Sequence, residues 1–252
     1  MLAVERYEKI VALVNERGSI RVSELSELCG VTEETIRRDL DRLEAAGRLR
    51  RSHGGAVSVK EGQAELPYTE REIAQAEEKK RIAEEAVKRI RPGDRIILDA
   101  SSTAWYMARI MPDIPLTVLT NAMRVATELA GREKIGVVAT GGLLSPRTLS
   151  FVGPLAERAL VDYHVDKVFL SAKGVHLERG LSESNEMQSR LKQTMIGIAD
   201  EAILLVDSSK FGQQAFARVA DLGDMTAVIT DRGVPADVRA ALADRGIPLA
   251  AV

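Results

Sequence analysis

Val31-Thr32-Glu33-Glu34-Thr35-Ile36-Arg37-Arg38-Asp39-Leu40 reads as the start of a helix. Thr32 is placed as the N-cap, and Glu33 and Glu34 fall in the first turn, where acidic side chains suit the helix dipole. Ile36, Leu40 and Leu43 form one apolar stripe, and Gly47 supplies the stop. Upstream, Ser23 is the expected N-cap of a shorter helix with Leu25 and Leu28 facing inward, closed near Cys29-Gly30. A first helix is expected from Val4 to Arg17, with Tyr7, Ile10, Val11 and Val14 on one face and Gly18 at its end. Ile20-Arg21-Val22 is a short β-like segment between them. Two helices joined by a tight turn at Cys29-Gly30-Val31-Thr32 make a helix-turn-helix unit.

The chemistry lies off the apolar stripes. Glu34, Thr35, Arg37 and Arg38 stand on the third helix, whose N-terminal end is the part of such a unit that reaches base edges. Arginines there can hold phosphates or read guanine. Arg48-Leu49-Arg50-Arg51-Ser52-His53-Gly54-Gly55-Ala56-Val57 then reads as a β-hairpin wing: a basic strand, a Gly-Gly turn and an apolar return strand. Arginine runs are most often a solvated face, and short amphipathic helices occur in many domains without DNA. Concentration of Arg37, Arg38, Arg48, Arg50 and Arg51 on one helix and one hairpin favours double-stranded DNA as the partner.

Bulk composition limits the alternatives. The chain has 252 residues with a formal net charge of -2, so the DNA argument rests on local charge. Aromatics are only 4%, too few for a stacking-based binder of single strands. Cys29 is the only cysteine, and His53, His164 and His176 are far apart, so neither a disulfide framework, a metal site nor a cofactor is expected. There is no apolar run long enough for a membrane span and no signal-peptide core, which makes the cytoplasm the expected compartment.

The expected layout is a DNA-binding domain over 1–58, a linker over 59–75 and a larger domain over 76–252; within the linker, Pro67-Tyr68 and Glu70-Arg71 are expected to dock on the larger domain. Beyond Ala76 the chain alternates short apolar strands with helices. Strands are expected at 96–98, 116–119, 135–139, 168–170, 202–206, 227–229 and 248–252, and helices at 76–90, 105–110, 122–130, 155–161, 187–198 and 236–244. This predicts an α/β fold with a mainly parallel sheet covered on both faces, and a ligand at the strands' carboxyl ends. Those ends carry Asp99-Ala100-Ser101-Ser102-Thr103, Thr120-Asn121, Thr140-Gly141-Gly142 and Asp207-Ser208-Ser209-Lys210. Hydroxyls and glycines at helix starts present N–H groups to an anion, and Lys210 and Lys173 add positive charge. Each motif alone is more often a cap or a turn; their recurrence points to a phosphorylated ligand.

Val22-Ser23-Glu24-Leu25, the 31–40 stretch, Leu43 and Leu49-x-Arg51-x-His53-Gly54-Gly55-Ala56 together resemble the DNA-binding signature of the DeoR family of bacterial regulators. The common family form has Ser where this chain has Thr32; both cap a helix. The second half resembles the DeoR-type sensor domain, over Lys80-x-Ile82-Ala83, Asp94 to Thr103, Thr120-Asn121, Gly141-Gly142, Gly153, Asp166 to Phe169, Gly180-Leu181, Glu186 and Asp207 to Gly212. The resemblance implies a winged helix-turn-helix joined to a Rossmann-type domain similar to ribose-5-phosphate isomerase. It implies DNA contacts by Ser23, Thr32 and His53-Gly54-Gly55 as well as the arginines, and adds Glu186 to the effector residues. It further implies a homodimer or homotetramer that represses sugar or polyol catabolism and is relieved by a phosphorylated sugar or polyol. Ser101 departs from the glycine usual in the sensor's first loop, which bears on the ligand that fits.

An alternative is a working sugar-phosphate isomerase. Its relatives carry an Asp-Gly-Ala-Asp run where this chain reads Asp166-Lys167-Val168-Phe169, so the second acid is absent and no enzyme is expected. Glu183, Glu186 or Asp207 would have to replace it. A purely architectural DNA-binding protein is a third reading, disfavoured by the polar strand ends.

Overall fold

The computed structural model describes residues 3–17, 19–46, 48–52, 54–58 and 67–252. They belong to two compact units, Met1–Ala64 and Glu65–Val252. Gly18, Gly47 and His53 lie outside the described residues, as does the stretch 59–66 of the expected linker.

The first unit runs α1 (Ala3–Arg17), β1 (Ser19–Arg21), α2 (Val22–Cys29), α3 (Glu33–Ala45), β2 (Leu49–Ser52) and β3 (Gly55–Ser58). Ile10 and Val14 of α1, Leu25 of α2 and Ile36 and Leu40 of α3 meet in one fully buried cluster. Beneath it Arg6 Nε reaches the buried Asp39 carboxylate at 2.5 Å, fastening α1 to α3. The hairpin is three-stranded, in the order β1-β3-β2, with Arg51 opposite Ala56 and Ile20 opposite Ala56 on the other side. A Cβ on Gly55 would come within 2.3 Å of the Ile20 carbonyl oxygen, so β3 approaches β1 only because this residue is glycine.

Two expectations need correction here. Ser23 does not cap α2: Arg21 is the cap residue, and Ser23 is exposed in the first turn. The Val22 N–H is already taken by the Gly54 carbonyl at 3.0 Å, so the chain leaves the sheet and enters the helix one residue early. Leu28, expected inward, is exposed.

The second unit begins with α4 (Tyr68–Ile73) and α5 (Ala76–Val87), then β4 (Arg95–Leu98), α6 (Ser102–Ile110), β5 (Leu116–Thr120), α7 (Met123–Leu129) and β6 (Ile135–Ala139). A hairpin of β7 (Leu143–Ser145) and β8 (Ser150–Val152) precedes α8 (Pro154–Val161) and β9 (Val165–Leu170). There follow β10 (Gly174–His176), β11 (Gly180–Glu183), α9 (Glu186–Gly197), β12 (Ala199–Leu205), β13 (Ala217–Ala220), β14 (Ala227–Thr230), α10 (Ala236–Asp244) and β15 (Leu249–Ala251).

Seven strands form one parallel sheet in the order β15-β14-β12-β9-β4-β5-β6. The strands read as continuous apolar runs because both faces are covered. Ile97, Val168, Leu170 and Leu204 point to one core, with Leu160 of α8 and Leu191 of α9. Ile96, Leu98, Phe169 and Ile203 point to the other, with Ile82 of α5, Met107 of α6 and Leu129 of α7.

Strand order fixes where a ligand can enter. The chain starts at central β4, adds β5 and β6 on one side, then returns to place β9 on the other. The reversal between β4 and β9 leaves a crevice at their carboxyl ends, where open α/β sheets bind ligands.

Pro67 to Ala74, expected as linker, instead contains α4. Tyr68 is buried in the core shared with α6, and its N–H donates to the Arg147 carbonyl at 2.8 Å. The short antiparallel pairings β7-β8 and β10-β11-β13 are also additions to the expected strands.

Candidate effector site and DNA-facing helix

In the first unit Thr32 caps α3: its Oγ1 accepts from the Thr35 N–H at 3.3 Å and lies 3.0 Å from the Thr35 hydroxyl. Arg37 and Arg38 are exposed and sit in helical ion pairs, Arg37 with Glu33 at 2.6 Å and Arg38 with Glu34 at 3.4 Å. Exposed pairs of this kind are worth little, so both guanidinium groups can be redirected to a phosphate at small cost. The wing arginines differ. Arg48 makes a two-pronged bond to Glu8 at 2.7 and 2.9 Å, which lowers the Glu8 carboxyl's pKa and raises the guanidinium's. Arg51 reaches Asp41 at 2.5 Å, and its N–H donates to Glu44 at 2.7 Å. These two tie the hairpin to α1 and α3, which gives them a structural task in the unit. Arg50 belongs to β2, and Gly54 and Gly55 shape the turn and the β1–β3 contact.

In the second unit a cavity opens at the crevice between β4 and β9. Ser101 lines it as the N-cap of α6 and Ser102 and Thr103 from the first turn of that helix, Lys173 from the loop after β9, and Lys210 from the turn after β12. Arg71, Lys79 and Lys192 complete a set of five cationic side chains, against two carboxylates, Glu183 and Asp207. Ser101 also caps α6, accepting from the Ala104 N–H at 3.0 Å. Lys210 is set by its turn: Asp207 accepts from the Ser209 N–H at 3.2 Å, and Asp231 accepts from the Ser208 and Gly233 N–H groups at 2.5 and 2.9 Å. Burial alone would raise the Asp231 carboxyl, but these backbone donors outweigh it and hold it below its usual range.

Behind the cavity lies a charged support. Lys192 donates to Glu183 at 2.5 Å and to the Ser171 carbonyl at 2.6 Å, and its ammonium is 3.0 Å from Asp99. Burial pulls the Lys192 pKa down, yet Glu183 and Asp99 outweigh it and hold it above the ordinary lysine value. Asp99, fully buried, also accepts from the Ser101 and Ser171 N–H groups at 3.0 and 2.9 Å. It shapes both loops from below and does not line the cavity, where it had been expected.

Other expected residues are not brought to the cavity. Thr120 donates to the Leu98 carbonyl at 2.7 Å and accepts from the Ala122 N–H, and Asn121 donates to the Phe151 carbonyl at 3.1 Å. Gly142 is packed against β8 and α8, where a Cβ would meet the Val152 oxygen at 3.0 Å. Gly141 and Gly142 follow the edge strand β6, beyond β5 from the crevice. Glu186 is exposed at the start of α9 and pairs with Arg190 at 2.6 Å. Asp166 belongs to the amino end of β9, the opposite end from the cavity, and is paired with Arg95 at 3.0 Å.

Arg71, Lys79, Gln188 and Lys192 were absent from the expected effector residues. Lys79 lies on the same stripe as Ile82, Ala83 and Ala86, all buried; a lysine on an apolar stripe was a readable signal. Gln188 and Lys192, one turn apart and flanked by Leu191 and Met195, were another. Arg71 was expected to dock on the larger domain with Glu70, but not to reach the ligand cavity. Among the described residues no group of three or more His, Cys, Asp or Glu could hold a metal, and no helix is long and apolar enough to cross a membrane.

A winged helix-turn-helix unit followed by a doubly covered parallel α/β unit defines a DNA-binding protein with a sensor-type second domain. Residues 6–62 match the DeoR-like helix-turn-helix domain, and residues 74–232 match the DeoR C terminal sensor domain. The chain belongs to the DeoR family of transcriptional regulators. It is 56% identical to the HTH-type transcriptional regulator YulB of Bacillus subtilis, covering 95% of this chain and 93% of that one. It is 39% identical to the L-fucose operon activator of Haemophilus influenzae, covering 91% and 92% of the two chains. It is 36% identical to a putative aga operon transcriptional repressor of Escherichia coli O157:H7, covering 92% and 88%. Among solved structures, ribose 5-phosphate isomerase A from Methanocaldococcus jannaschii overlaps 55% of each chain, with a TM-score of 0.41 and 21% identity.

Proposed function

We propose that this regulator is a cytoplasmic repressor of a sugar or polyol catabolic operon, and that a phosphorylated sugar or polyol in the β4–β9 cavity controls its affinity for operator DNA. The observation that carries the reading is the excess of cations over carboxylates around a cavity at the switch point, fronted by Ser101, Ser102 and Thr103 at the N-terminus of α6. One relative is named as an L-fucose operon activator and another as a putative aga operon transcriptional repressor. DNA is contacted through Thr32, Glu34, Thr35, Arg37 and Arg38 of the third helix region, with Arg50 and His53 from the wing. A homodimer or homotetramer would match repeated half-sites. The effector acts by binding one arrangement of the protein better than another.

Binding without turnover is supported by the state of the acids. Glu183 is bonded to Lys192, Asp207 to the Ser209 N–H and hydroxyl, and Asp166 belongs to the far end of its strand. None is placed as a free general base. The test is fluorescence anisotropy on DNA from upstream of the chain's own coding region, with and without a panel of sugar phosphates. Release of the DNA by one compound, with that compound recovered unchanged, supports the reading. Consumption of the compound would move the second unit to the isomerase class, and tighter binding would reverse the sign of regulation.

A further inference from the structure

Arg71 stands out among the cavity's cations. Its Nε and Nη2 atoms are buried and have no hydrogen-bond partner among the described residues. The guanidinium lies over the Tyr68 ring, 5.4 Å from its centroid, and lines the cavity. Lys79 and Lys192, by contrast, are already spent: Lys79 on the Arg71 and Ala74 carbonyls at 2.5 and 2.6 Å, Lys192 on its two carboxylates and Ser171. A guanidinium with two orphaned donors in a low-dielectric wall is unstable unless an acceptor meets it, and an anion's oxygens match its fork.

Arg71 also differs in where it comes from. It belongs to α4, the first element after the residues that join the two units. α4 is held to the α/β unit by the buried Tyr68 ring, by the Tyr68 N–H on the Arg147 carbonyl at 2.8 Å and by Lys79 on the Arg71 carbonyl at 2.5 Å, with a few further bonds. Ser102 Oγ donates to the Arg71 carbonyl at 3.2 Å, Tyr106 to the Glu72 carbonyl at 3.1 Å, and Arg124 pairs with Glu72 at 3.3 Å. Two of the residues gripping α4, Ser102 and Lys79, line the same cavity.

We propose that Arg71 is an anion ligand contributed by the segment that leads to the DNA-binding unit, so that an anion in the cavity fastens α4 to the α/β unit. The inference rests on the anionic-effector reading and gives it a route. Occupancy adds a bond to α4 and breaks none, because the other groups holding α4 use its carbonyls, the Glu72 carboxylate and Tyr68, and not the Arg71 guanidinium. The tether of the DNA-binding unit is thereby shortened and stiffened at its α/β end.

The experiment is calorimetric titration of the full chain with inorganic phosphate, paired with hydrogen exchange over residues 67–75. In the native chain phosphate binds and slows exchange in α4. In R71Q its affinity falls about ten- to hundredfold, the worth of hydrogen bonds to a charged group, and the α4 protection disappears. R71K keeps a cation over Tyr68 without the fork and loses part of the affinity, which separates anion binding from mere support of the helix. Unchanged exchange of β4 and β9 confirms that each variant is folded. If phosphate binds the native chain but R71Q binds it equally well, or if α4 exchange is unchanged or faster, the inference fails and the anion site stands. If phosphate binds none of the three proteins, the anion-site reading fails with it.

Discussion

Lys192 Nζ and the Asp99 carboxylate lie 3.0 Å apart beneath the cavity, and neither faces solvent. The pair joins α9 to the loop after β4, and Glu183 closes it into a triad. Replacing Lys192 with Met leaves two buried carboxylates without their cation. The expected loss is about 3–5 kcal/mol of stability for breaking a buried pair, read as a lower urea midpoint at an unchanged denaturant slope. A loss under 1 kcal/mol would mean that the triad is wet and dispensable.

Arg38→Ala should weaken operator binding by about 1–3 kcal/mol, and where the lost contact is a phosphate the salt slope should fall by about one. Arg48→Ala should behave differently, because Glu8 already holds that guanidinium. Operator affinity measured by anisotropy across a salt series separates the two. Equal losses in both variants would return the wing arginine to the DNA surface.

Burial pulls the Lys79 ammonium down to about 8, with the nearby Asp207 charge opposing. The unfolded chain keeps the ordinary lysine value of 10.5, so between these two values it binds the proton that the folded chain has released. Stability from this residue therefore rises as pH increases through that window and is flat below it. Urea unfolding at pH values near both ends should show the rise, on the order of 3 kcal/mol for this group. In Lys79→Met that component of the rise should be absent.

Gly55→Ala places a methyl group 2.3 Å from the Ile20 carbonyl oxygen. The β1–β3 contact must open, at a cost of about 1–3 kcal/mol or more from overpacking. Heat denaturation of the first unit should shift down while that of the second does not. An unshifted first transition would show that the two strands can part freely.

Much of this organisation was legible in the residues. Thr32 with Ile36 and Leu40 marked the third helix, and wholly apolar runs such as Ile96-Ile97-Leu98 announced strands buried on both faces. Ser101, Ser102, Thr103, Lys173 and Lys210 do share one cavity. Thr120, Asn121, Gly141 and Gly142 resemble them in sequence but stand outside it, because which strand ends converge depends on strand order, and chain order does not reveal that. Strands of three residues, such as β7 and β10, are too short to show a period. α4 is likewise too short to show a period, so Glu70-Arg71 read as a docking segment and not as part of the cavity.

The central position of β4 shapes how the molecule is made. β4, β5 and β6 are synthesised first and can pair with one another, but the other edge of β4 stays open until Val165–Leu170 has followed. An unpaired central edge in a growing chain invites wrong partners. The same order means that the helix of Arg37 and Arg38 exists well before Lys173, Lys192 and Lys210 have been added. A product cut short ahead of β9 would carry the helix of Arg37 and Arg38 but neither the finished sheet nor the cavity that Lys173, Lys192 and Lys210 line.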